Sequence, residues 1–64
     1  MEKYKQEYNN LLKRYYNGCK YLSENPQDFE KFLPELLKIL ENINIIIVQQ
    51  NITDSDIALK GFKN

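Results

Sequence analysis

Histidine and tryptophan are missing from these 64 residues, and cysteine and arginine each occur once, as Cys19 and Arg14. A single cysteine permits no disulfide within the chain. Without histidine the common Cys/His zinc sites cannot be built, and a nucleophile would lack its usual base. Only two glycines are present, so there is no Gly-rich phosphate loop. Neither sign of charge is in excess, with nine basic and nine acidic residues. A strong nucleic-acid binder gains affinity by neutralising phosphates and carries a basic surplus. Long hydrophobic runs are absent too. The longest, Ile45 to Val48, is far too short to span a membrane. The polar opening Met1-Glu2-Lys3-Tyr4-Lys5 is not followed by the apolar stretch of a secretion signal. With one free thiol, a cytoplasmic location is expected.

A chain of this length is expected to form one domain, residues 1–64. So small a domain buries only about 60% of the surface its unfolded form exposes, and its core supplies ~3–5 kcal/mol of net stability. With disulfide and metal excluded, packed helices and self-association remain as reinforcements. The richness in Asn, Lys, Ile and Tyr is what AT-rich codons produce, and it points to a low-GC bacterium or one of its phages or plasmids.

Helical periodicity dominates what is present. Tyr4, Tyr8, Leu11, Tyr15 and Leu22, with Gly18 in the remaining slot, follow steps of four and three, and Leu12 and Cys19 widen the stripe. This spacing predicts an amphipathic helix over about 2–22. Asn25 and Pro26 then suit the N-cap and first residue of a second helix. Its apolar positions are Phe29, Leu33, Leu36, Leu40, Ile43 and Ile47. Pro34 removes one hydrogen bond from this segment of about 26–50, so the helix is kinked or broken there, and the unbroken apolar phase favours the kink. Ile43 to Val48 is β-branched enough for a strand. No second strand is available to pair with it, so it reads as helix. Thr53 is placed as the cap of a short last helix over about 54–60, with Gly61 as its stop.

Folding back at Asn25-Pro26 pairs positions whose numbers sum to 51, so that Gly18 faces Leu33 and Tyr8 faces Ile43. The expected fold is all-α: an antiparallel helical hairpin plus a short C-terminal helix. Charge supports the pairing. Lys13, Arg14 and Lys20 lie in the first segment, and Glu30, Glu35 and Glu41 in the second, so the two attract.

No constellation of residues calls for catalysis, a cofactor, a metal or a small-molecule substrate. Cys19, on the apolar stripe, is read as a buried and inert thiol. Asp54 and Asp56 are read as helix-start acids rather than an acid/base pair. The tyrosine stripe is read as core rather than a base-stacking platform. The segment Thr53-Asp54-Ser55-Asp56-Ile57-Ala58-Leu59-Lys60-Gly61 resembles the first helix of a helix-turn-helix. Gly61 comes one residue early, however, and with Asn64 as the last residue no recognition helix is expected.

The expected function is therefore non-enzymatic: a protein-binding adaptor or inhibitor module that also forms a homodimer. One neighbouring helix cannot cover all the apolar positions of the second segment. Phe32, Ile39 and Ile46 recur every seven residues to one side of the inward seam, with Leu37 and Val48 on the other. These five, with Tyr16 and Tyr21, are the candidate interaction residues. The alternative is a nucleic-acid accessory protein touching phosphates through Lys13, Arg14 and Lys20.

Overall fold

The computed structural model describes residues 2–63. Helix α1 runs Lys3–Glu24, a 3₁₀ turn takes Pro26–Asp28, helix α2 runs Phe29–Gln49 and helix α3 runs Ser55–Lys60. The long helices form an antiparallel hairpin, and α3 folds back onto α1. No strand occurs among the described residues.

The turn between the long helices is set by Asn25 and Pro26. A residue before proline is pushed out of the helical region, and Asn25 sits at φ −134°, ψ 64°. Both its backbone N–H and its side-chain amide donate to the Tyr21 carbonyl, at 2.9 and 3.0 Å. Asn25 was expected to cap the second helix. Its side chain instead ties off the end of α1, and the chain enters α2 through the 3₁₀ turn.

Pro34 lies inside a continuous α2. The hydrogen bond it cannot make would have gone to the carbonyl of Glu30. Both residues are exposed, so that carbonyl is not left buried and unpaired, and the helix runs on. Ile43 to Val48 are helical to the end. Asn51 then stops α2 in the left-handed region at φ 51°, a conformation asparagine tolerates better than most residues. The Ile52 N–H donates to the Ile47 carbonyl at 3.0 Å and the Asn51 N–H to that of Val48 at 3.4 Å. This doubly bonded ending satisfies two orphan carbonyls, and it turns Ile52 against the core.

The core consists of Tyr8 and Leu12 from α1 and Ile39 and Ile43 from α2, with Leu22 buried nearer the turn. Two expectations are corrected by it. A Cβ built on Gly18 would come within 2.6 Å of Leu36 Cδ2, so Gly18 meets Leu36 rather than Leu33. Leu12, read as a flank of the stripe, is buried, while Leu11 and Tyr15 are half-buried. The two apolar seams of α2 are about equally greasy, and spacing alone does not say which one α1 takes.

The tail is bound to α1. The Tyr8 hydroxyl donates to the Ala58 carbonyl at 2.7 Å, and Tyr16 to that of Leu59 at 2.6 Å. Two open carbonyls in the last turn of α3 are thereby satisfied. The side-chain amide of Asn9 grips the backbone of Phe62 from both sides. It accepts from the Phe62 N–H at 2.7 Å and donates to its carbonyl at 2.9 Å. The Phe62 ring stands edge-on to Tyr4 and Tyr8, at centroid distances of 5.8 and 5.7 Å. Cys19 is corrected as well. It is exposed rather than buried, because the six-residue α3 reaches along α1 only as far as Tyr16.

The cap of α3 is Asp54, not Thr53. The Asp54 carboxylate accepts from the Asp56 N–H at 2.9 Å and the Ile57 N–H at 3.4 Å. Asp54→Ala should therefore cost about 1 kcal/mol, and Thr53→Ala only a few tenths. Urea titration of both variants tests the assignment, and equal losses would return the cap to Thr53.

Candidate functional site

The expected interaction residues fall into three places. Phe32, Ile39 and Ile46 turn toward α1. Ile39 is 7% exposed and belongs to the core, and Ile46 packs against it. Phe32 is half-buried, its ring edge-on to Tyr21 at 5.3 Å. The expectation of an uncovered strip along these three is corrected, because α1 itself covers most of it. What remains open on that side is a pair of clefts between the long helices. One, of about 430 Å³, opens beside Gly18, Phe32 and Leu36. The other, of about 460 Å³, is bordered by Leu11, Ile45 and Ile46. Arg14 lines both and pairs with Glu35 across the groove at 3.8 Å.

Tyr16 and Tyr21 expose their rings, but their hydroxyls are engaged within the chain. Tyr16 holds α3, and Tyr21 donates to Asp28 Oδ2 at 2.6 Å. That bond holds the Tyr21 phenol above its ordinary pKa, with smaller contributions from desolvation and the Asp28 charge. Both tyrosines thus fix neighbouring segments of their own chain.

Leu37 and Val48 lie on the outer face of α2, 54% and 72% exposed. The chain adds residues there that spacing had assigned to the hairpin seam. Leu40 is 42% exposed and Phe29 50%. With half-buried Leu33 and Ile47, they make an apolar face along most of α2. A shallow cup of about 440 Å³ opens at its middle, walled by Leu37, Leu40, Glu41 and Asn44 and bordered by Ile43 and Ile47. Choosing the wrong seam for α1 is what hid this face. Once Ile39 and Ile43 point inward, Leu37 must point outward and Leu40 to the side, ~140° and ~80° from their midline at ~3.6 residues per turn.

The basic residues of the alternative reading all lie on α1, with Lys13 and Lys20 two turns apart on one face. Lys13 and Lys20 are exposed, while the charge of Arg14 is shared with Glu35. Two free lysines give a salt slope of roughly −2 in the logarithm of affinity, a weak phosphate footprint. Among the described residues no group of three His, Cys, Asp or Glu side chains could hold a metal ion. None of their helices is long and apolar enough to cross a membrane. Comparison with protein-family models, with curated proteins and with solved structures found no match.

Proposed function

We propose that this chain is a non-enzymatic protein-binding module whose contact surface is the outer face of α2. The supporting observation is the set of exposed apolar residues on one face, Phe29, Leu37, Leu40 and Val48, crossed by Asn44. Single apolar residues are normal on a surface, but several large ones gathered around a cup are what interaction sites present. Its edge carries a charge, Glu41, as the rims of protein interfaces do.

A photo-crosslinking residue tests the reading in the cells that make the protein. Placed at position 48 it should capture protein, and placed at position 13, on α1, it should not. Equal labelling at both positions, or capture of nucleic acid at position 13 alone, overturns the proposal.

A further inference from the structure

The outer face of α2 has a register. Leu33, Leu37, Leu40, Asn44 and Ile47 succeed one another at steps of four, three, four and three. That is the spacing of the seam along which two helices wind around each other. The cup fits the same scheme. Leu37, Leu40, Glu41 and Asn44 stand at i, i+3, i+4 and i+7, the four residues that form a hole for one side chain of a facing helix.

We propose that the occupant is a second copy of this chain. Its α2 lies parallel and in register with the first, so that each Leu40 enters the cup of the other copy and Asn44 meets Asn44 across the two-fold axis. The inference rests on the outer face of α2 being a contact surface, and it names what fills it.

Three observations select this occupant and this direction. Asn44 lies on the seam between Leu40 and Ile47. Opposite its own counterpart its amide finds both a donor and an acceptor, whereas opposite an aliphatic side chain it would be buried without a partner. The flanks match as well. In a parallel pair a residue beside the seam meets one five positions further along the other helix. Phe29 then meets Pro34, Leu36 lies along the stem of Glu41, and Val48 comes to the edge of the cup beside Ile43. The antiparallel registers match poorly, because both leave Asn44 against a leucine, Leu40 in one and Leu33 in the other. The seam from Leu33 to Ile47 is one helix face wide and ~21 Å long. It falls short of the ~800 Å² per partner of a typical stable interface, so the dimer assembles in the micromolar range rather than the nanomolar.

Sedimentation velocity on the full chain, over a concentration series, gives the test. The wild type should pass from monomer to dimer. Leu40→Glu should weaken association on the order of 100-fold, because it places a charge in the cup, with helicity retained by circular dichroism. Leu37→Lys, at a more exposed position, repeats the measurement if Leu40→Glu loses helicity. Glu30→Cys in a Cys19→Ser background should be joined to itself by a short bis-maleimide, since a parallel pair sets the two sites side by side. An antiparallel pair separates them by more than ~20 Å. A wild type that stays monomeric throughout overturns the dimer and leaves the contact face to be judged by crosslinking at position 48. A dimer that survives both seam variants overturns the face itself, and with it the reading on which this rests. A dimer sensitive to Leu40→Glu but without the Glu30→Cys crosslink overturns the parallel register.

Discussion

Tyr8→Ala is expected to leave the chain without a cooperative thermal transition. Tyr8 is fully buried and sits in the core with Leu12, Ile39 and Ile43. Truncating a buried aromatic residue to alanine costs ~3–5 kcal/mol. A domain of this size has about that much stability in total. The variant also removes one of the two rings against which Phe62 stands, and the donor that holds the Ala58 carbonyl. Tyr8→Phe separates these contributions. It keeps the ring, loses only the hydrogen bond, and should melt cooperatively with a loss of ~0.5–1.5 kcal/mol. The hydroxyl also gives the fold an alkaline limit. Burial raises the Tyr8 pKa above its ordinary value, and the neighbouring Tyr16 adds to the shift. A raised folded-state pKa means that the neutral phenol is the form the fold prefers. Its stabilisation is complete below about pH 10, the unfolded value, and is lost as the pH climbs through the folded value. Thermal melts from neutral to strongly alkaline pH should show this decline in the wild type and a smaller one in Tyr8→Phe. A Tyr8→Ala variant that melts within a few degrees of the wild type would place Tyr8 outside the core.

Gly61→Ala should release the tail. Gly61 is buried at φ 88°, ψ 178°, a region essentially reserved for glycine, where another residue pays ~1–3 kcal/mol. An added Cβ would also collide with the side-chain amide oxygen of Asn9. That oxygen accepts from the Phe62 N–H, so the methyl group displaces the clamp on the Phe62 backbone. Amide exchange after Asn51 should accelerate strongly, while the amides of α1 and α2 keep part of their protection. Gly61→Ala with unchanged exchange in the tail would mean that Asn9 and Phe62 are not coupled.

The fold was largely legible because helical periodicity is a local signal. The extents of α1 and α2, the turn at Asn25-Pro26 and the short α3 all follow from spacing and Pro/Gly placement, although the capping residues of α2 and α3 do not. What spacing does not encode is rotation. Phe29, Leu33 and Leu40 on one side of α2, and Phe32, Ile39 and Ile46 on the other, are equally apolar, so α1 could have taken either. The tail contacts were hidden too, because they depend on polar atoms that no apolar pattern reveals. Asn9 looks like an ordinary surface residue of an amphipathic helix, yet both of its amide functions are used 53 residues away. Asn51 carried a readable signal, an asparagine directly after a long apolar run. The candidate surface shifted for the same reason. Leu37 and Val48 are exposed as expected, but they are joined by Leu40 and Phe29, which were expected to lie in the hairpin seam, while Ile39 is buried.

The Asn9 clamp also bears on the order in which the chain assembles. The hairpin closes around a turn of a few residues, at small entropic cost. The tail's contacts with α1 join residues 43 to 53 apart in sequence, and long loops must be closed before such contacts reward the closure. Docking of α3 therefore comes late, onto a hairpin already formed. Interactions made after the rate-limiting step act on the rate of unfolding and hardly on that of folding. The Tyr16 hydroxyl, the Asn9 amide and the Phe62 ring thus work as a kinetic lock, governing how long the hairpin stays closed rather than how quickly it forms.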